Sequence, residues 1–407
     1  MARANGTYDE AAMLVRPTAE IGRLGSRSLV IAAAGIVAAI AGYLQQGAAF
    51  WQSYLIAYIF WTGITIGSLG VLMVQHLSGG AWTMISRRVL EAVTRNLPLM
   101  ALLFLPIWFN LEHLYPWVNP DPNDEAMQHV IHLKGAYLNK PFFGVRALIY
   151  FAIWAGLAYF LNRWSRQQDE LPAQLPGPLD RRPRMLSGPG LVLFVATVTL
   201  MSVDWVMSLD PEWFSTIFGV LMIGGSGLST MAFIIVVLAL LVKFKPMSEV
   251  ATAEKFHDHG KLMFAFLMLW AYFSVSQLLI IWSANLPEEV PFYLERLHGA
   301  WYPASVTLLL GQFALPFLLL LSQDLKRKPK QVMWVALFIL LMRVVDIAWT
   351  IGPVFRHEGS GLSWVDFAAV LAIGGPWLFM FFRNLAGRAV VPAKDPYFKE
   401  AVAHGGH

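Results

Sequence analysis

Apolar runs of 18 residues or more recur along the whole sequence, and each is long enough to cross a bilayer as a helix. Ten can be drawn, roughly at residues 28–45, 50–76, 90–111, 143–162, 189–209, 213–242, 262–284, 300–322, 331–352 and 363–383. No stretch between them is large enough for an ordinary soluble domain. The sequence therefore predicts an all-α integral membrane protein with ten transmembrane helices. Composition agrees. Hydrophobic residues make up 57% of the 407 and charged residues 14%, too little charge to cover a soluble chain of this size. The expected organisation is an N-terminal segment at 1–27, a ten-span domain at 28–385 and a tail at 386–407.

Charge placement predicts the orientation. Of the 30 Lys and Arg residues, Lys134, Lys140, Arg146, Arg296 and Arg356 fall on one side of a ten-span chain, and Arg343 falls within a span. All the others lie on the side of the two termini. The bias alternates loop by loop, which places both termini in the cytoplasm. Residues 1–27 are polar and precede a full-length span, so no cleavable signal peptide is expected. The pI near 9.2 reflects anchoring at the inner face rather than nucleic-acid binding.

The chain has no cysteine. That excludes thiolate-held iron–sulfur clusters, covalently attached haem and thiol redox chemistry from this chain. Haem b held between spans needs histidines well inside them, whereas His76, His113, His129, His132, His298 and His357 fall at span ends or in loops.

Two hydrophilic segments interrupt the pattern. Residues 112–142 are expected outside, as a connecting loop or a contact for another subunit. Residues 163–188 read as an irregular Pro-rich linker on the inner side. A faint repeat relates spans 2–5 (about 50–209) to spans 6–9 (about 213–352). Asp204 is followed by Ser208 and Pro211, and Asp346 by Thr350 and Pro353, at the same offsets. Trp51, Ser53 and Gly63 likewise match Trp213, Ser215 and Gly225. Two four-helix bundles flanked by helices 1 and 10 are the expected architecture. The glycines of "GITIGSLG" (Gly63 to Gly70) and "GGSG" (Gly224 to Gly227) are expected at close helix interfaces.

The chemistry-bearing residues are few. Arg343 and Asp346, at i and i+3, share a helix face with Thr350. They form either a structural pair or part of a proton or substrate path. Asp204 has no basic residue within reach in its own span, and Thr197 and Ser208 share its face. It is either a desolvated proton acceptor or an anchor to the next helix. Glu112 and His113 end span 3 as interfacial polar residues or as the mouth of a quinone or proton pocket. The histidines of "HDHGK" (His257 to Lys261) invite a metal reading, but Asp258 as the N-cap of span 7 explains the segment more simply. No metal site is expected.

Three stretches carry a likeness: "SVDWVMSLDPEWFSTIFG" (Ser202 to Gly219), "EKFHDHGKLMFAFLMLWAYFSVSQLLIIWSANLPEEVPFY" (Glu254 to Tyr293) and "RVVDIAWTIGP" (Arg343 to Pro353). With the ten-span plan, they resemble the ActF subunits of bacterial alternative complex III, of the polysulfide-reductase-like (NrfD-type) membrane family. The likeness runs over nearly the whole chain. It implies a bacterial inner-membrane subunit of a quinol oxidoreductase that passes electrons to a periplasmic cytochrome or copper protein. The implied partners are a paralogous NrfD-like subunit, an iron–sulfur subunit, multihaem cytochrome subunits, membrane lipids and the quinone pool. Haem and iron–sulfur clusters then belong to the partners, and quinol oxidation is expected in the paralogue. The expected role is to scaffold the complex and contribute a proton path, with Asp204, Asp346, Arg343, Ser208, Thr350, Glu112 and His113 as its candidates. The alternatives are a quinol site in this chain, or a secondary transporter with spans broken around midplane polar residues.

Overall fold

The computed structural model describes residues 13, 17–79, 82, 84–120, 122–123, 125–170, 178–356, 361–395 and 398. His357, most of the N-terminal segment, the middle of the 163–188 linker and the end of the tail lie outside the described residues. Among those described, every regular element is a helix and there is no strand. Helices are the structure an apolar chain needs in lipid, because each satisfies its own backbone polar groups.

The long helices are α1 (Thr18–Gln46), α2 (Phe50–Ser78), α3 (Arg87–Thr94), α4 (Leu97–Phe109), α5 (Lys140–Glu170), α6 (Pro178–Trp205) and α7 (Phe218–Leu241). They continue with α8 (Ala253–Ala284), α9 (Gly299–Leu321), α10 (Pro329–Ile351) and α11 (Trp364–Ala386). Nine helical segments among the described residues are long and apolar enough to span a membrane. The sequence predicts ten, and the difference lies at the start, where Thr18–Ser78 forms one stretch of 61 residues. That stretch is α1 and α2 joined through a 3-10 turn at Gly47–Ala49. Gly47 has φ 58°, a left-handed backbone that glycine adopts without steric cost.

Two helices form the centre. In α2 every residue from Leu55 to Met73 except Gly63 is buried, and in α7 every residue from Gly224 to Ile235. Both are apolar on all sides, as a helix enclosed by others must be. They pack directly on each other. A Cβ on Gly67 would lie 2.6 Å from the Ser226 carbonyl oxygen, and Thr230 donates across the seam to the Ile64 carbonyl at 3.2 Å. Helix α2 also packs on α6 and α11, and α7 on α6, α8 and α10. The first and last long helices, α1 and α11, lie along each other. A Cβ on Gly375 would meet the Ala32 Cα at 2.2 Å, so their backbones touch as small-residue membrane interfaces do. Large apolar side chains such as Val30, Leu44, Leu148, Val192, Trp282 and Leu309 point outward, as lipid-facing positions require.

The expected linker at 163–188 needs correction. Helix α5 runs on to Glu170, and α6 starts at Pro178 with Pro183 and Pro189 inside it. A proline opening a helix loses no bond, because the first N–H groups have no intrahelical acceptor. The segment 112–142, expected as an outside loop, also holds helix, at Glu125–Lys134.

Candidate functional site

Arg343 and Asp346 form a buried ion pair within α10, with side-chain exposures of 3% and 8%. Neighbouring helices complete it. Trp270 of α8 donates Nε1–H to Asp346 Oδ2 at 3.2 Å, and Arg343 Nε donates to Ser229 Oγ of α7 at 3.3 Å. Thr350 donates to the Asp346 carbonyl at 2.9 Å. The guanidinium fits because α7 presents a glycine there: a Cβ on Gly225 would lie 2.2 Å from Arg343 Nη2.

Asp346 stands at the wall of a cavity of about 590 Å³. Its surface is chiefly aromatic and aliphatic, with Phe218, Met268, Leu278, Phe292 and Trp349 among the lining residues. Its polar members include Asp346, Thr350, Ser305 and Gln277. The buried Gln277 Oε1 has no hydrogen-bond partner among the described residues. On one side α9 loosens into a π-turn at Leu308–Ala314, a departure often found at functional sites.

The second buried acid, with no basic residue in reach on its own helix, is paired from the neighbouring one. Arg146 of α5 donates Nε–H to Asp204 Oδ2 of α6 at 2.8 Å, and Tyr150 donates its hydroxyl to the same oxygen at 2.6 Å. Arg146, expected as a loop charge, is instead 5% exposed. Its guanidinium stacks on Tyr137, 3.8 Å from the ring centroid, and bonds the Tyr137 carbonyl at 2.9 Å. Ser208 donates to the Asp204 carbonyl at 2.5 Å, repeating the Thr350–Asp346 arrangement, and receives the Trp117 indole at 3.4 Å. Two buried polar atoms here, Asp204 Oδ1 and Arg146 Nη2, have no hydrogen-bond partner among the described residues. Burial, reinforced by the Asp204 carboxylate, raises the phenols of Tyr115 and Tyr137 well above their usual range.

Both pairs lie toward one end of the bundle. Arg146 begins α5, whereas Ser165 and Asp169 near its other end meet Glu91 and Arg88. These sites are about 30 Å apart along the helix. The start of α8 lies at that second end, where the His259 Nδ1 donates to the Lys255 carbonyl at 2.8 Å and its Nε2 faces Ser86 Oγ at 2.9 Å. Arg327, just ahead of α10, pairs there with Glu254 of α8 at 3.0 Å, so Asp346, about 25 Å further along α10, returns to the end that holds Asp204.

Sequence reasoning missed two further buried networks. At the end shared with Asp204, Arg356 grips Asp366 through both Nη atoms at 2.9 and 2.8 Å, and Ser53 donates to the same carboxylate at 2.6 Å. The signal was the capping box Ser363-x-x-Asp366 that starts α11. At the opposite end, Glu91 gathers Arg87, Arg88 and Arg388 at 3.1, 2.7 and 3.3 Å, and Arg87 reaches Asp395 at 2.5 Å. The spacing of Arg87 and Arg88 to Glu91, i+4 and i+3, was legible. Arg296, expected in a loop, is also buried, with bonds to the Phe292, Trp349 and Thr350 carbonyls.

Other candidates stay apart. Glu112 and His113 pair with each other at 4.0 Å on the surface, 57% and 43% exposed, and no hydrogen bond or ion pair joins them to either buried aspartate among the described residues. Asp258 does not cap α8. That helix begins at Ala253 after Thr252, because the polar run "EKFHDHG" is itself helical, and Asp258 pairs with Lys261 at 2.8 Å. Among the described residues no group of three or more His, Cys, Asp or Glu is placed to hold a metal ion. No protein-family model and no curated protein matches the chain.

Proposed function

We propose that this chain is a bacterial inner-membrane subunit of a quinol:electron-acceptor oxidoreductase of the alternative complex III type. In this reading its ten spans, with α1 and α2 counted separately and both termini cytoplasmic, scaffold the complex as two four-helix units. Haem and iron–sulfur partners carry the electrons, and the Asp204 and Asp346 clusters serve a proton path toward the outer face. The observation that supports it most is the open hydrogen-bonding capacity at Asp204 Oδ1. A purely structural buried pair satisfies its polar atoms, whereas a relay needs an atom free to take and pass a proton. Purification from native membranes in mild detergent tests the reading. Co-purifying multihaem and iron–sulfur subunits support it, and a chain that purifies alone refutes it.

A second reading, a quinol site in this chain, is favoured by the cavity beside Asp346. Aromatic and aliphatic walls suit a quinone ring and isoprenoid tail, with a few polar groups to orient the head. Quinol supplies two electrons and two protons when oxidised. Asp346 would accept a proton at the wall, with Trp270 and Arg343 holding its carboxylate in place. The same apolar lining argues against a transporter of hydrated solutes. Photolabelling with an azidoquinone tests this reading: label on the α8 or α10 residues of the cavity supports it, and label confined to partner subunits refutes it.

A further inference from the structure

A second cavity, of about 460 Å³, lies where the start of α4 meets the end of α5. It is at the end of the bundle opposite Asp204, and neither aspartate cluster explains it. Arg95, Arg163 and Arg166 line it, against one carboxylate, Glu170. Its other side is apolar, with Leu97, Ala155 and Tyr159, and Tyr159 is 58% exposed on the flank that faces lipid.

The polar groups of this cavity are not used up by the protein. The guanidinium groups of Arg163 and Arg166 form no hydrogen bond or ion pair with a described residue. Arg95 bonds the Asn384 carbonyl through Nη2, but its buried Nε has no partner among the described residues. Three guanidinium groups against one carboxylate leave a net positive site. It sits where α5 passes from the apolar Ala155–Leu161 stretch to its charged last turns, the level of lipid headgroups. Guanidinium forks match phosphate oxygens in pairs.

We propose that this cavity binds an anionic phospholipid. Its phosphodiester lies among Arg95, Arg163 and Arg166, and its acyl chains run along the apolar side. Basic pockets between membrane helices hold such headgroups. A free phosphate offers the same oxygens, but it has no use for the apolar wall that opens to the lipid flank.

The test is native mass spectrometry of the purified protein with its partners, delipidated and then titrated. The probes are dioleoyl phosphatidylglycerol, tetraoleoyl cardiolipin, dioleoyl phosphatidylcholine and inorganic phosphate. The two anionic lipids should bind the wild type more tightly than phosphatidylcholine. Arg163→Gln with Arg166→Gln should weaken them about 25-fold, about fivefold for each surface cation, and leave phosphatidylcholine unchanged. Ala155→Phe keeps all three arginines but fills the apolar side, and it should weaken the same binding. The proposal fails if the double variant or Ala155→Phe holds anionic lipid as the wild type does, or if phosphatidylcholine binds equally well. Displacement of phosphatidylglycerol by equimolar inorganic phosphate would overturn the lipid in favour of a soluble phosphate ligand.

Discussion

Arg343 occupies the space that a side chain at residue 225 would fill, its Nη2 only 2.2 Å from where a Cβ on Gly225 would sit. The glycine on α7 and the arginine on α10 are therefore one structural unit, although 118 positions separate the numbers 225 and 343. Neither neighbour is flexible backbone alone: the guanidinium is fixed by Asp346 and Ser229.

Gly225→Ala should therefore displace Arg343 and weaken its hold on Asp346. Overpacking of this kind costs about 1–3 kcal/mol. The loss of Tm in the purified protein should be smaller when Arg343→Met and Asp346→Leu are already present, because the obstruction is then gone. An equal loss in both backgrounds would show that residue 225 acts on something other than the pair.

Removing one member of the Arg343–Asp346 pair leaves the other charge buried and uncompensated, at about 3–5 kcal/mol. Arg343→Met alone should thus lower the yield of assembled protein more than Arg343→Met with Asp346→Leu. Yield by size-exclusion chromatography of solubilised membranes measures this. A double variant no better than the single one would mean that the pair is not mainly structural.

The Arg146–Asp204 pair makes a different prediction about assembly. Asp204→Asn keeps an acceptor for Arg146 Nε and Tyr150, and the guanidinium stays stacked on Tyr137 and bonded to its carbonyl, so assembly should suffer less than in Arg146→Met. Arg146→Met strands the carboxylate and should reduce Tm by the several degrees that about 3 kcal/mol implies. The reverse order of damage would argue against a charge held at Asp204.

At the other end, Glu91 is the carboxylate shared by Arg87, Arg88 and Arg388. Glu91→Gln should loosen the segment after α11, because Arg388 loses its ion pair and the buried cations then repel one another. Limited proteolysis should cleave between residues 387 and 398 faster than in the wild type. Unchanged cleavage would show that Asp395 and the apolar contacts hold the segment alone.

What could be read in the sequence follows the range of each interaction. Arg343 and Asp346 share one helix face at i and i+3, so their pairing was visible as a periodicity. Asp204 and Arg146 are 58 positions apart on different helices. No local pattern marks such a pair, and Arg146 after "NKPFFG" reads as a loop charge. The glycines of "GGSG" signalled close packing, but only the packed helices reveal that one of them makes room for a guanidinium. The cavity beside Asp346 draws its walls from residues between Phe218 and Thr350 and has no sequence signature. Apolar runs located the long helices, because an apolar chain in lipid must satisfy its own backbone polar groups. Polar helical stretches such as 253–261 were misread as loop, since the span criterion responds to apolarity alone.

The proposed proton path through Asp204 is tested most directly by one measurement. Quinol-driven turnover and proton release should be followed together, across pH, in vesicles reconstituted with wild-type or Asp204→Asn complex of equal cofactor content. A slowed Asp204→Asn complex with reduced proton release is the predicted result; wild-type turnover and proton release at every pH would contradict it.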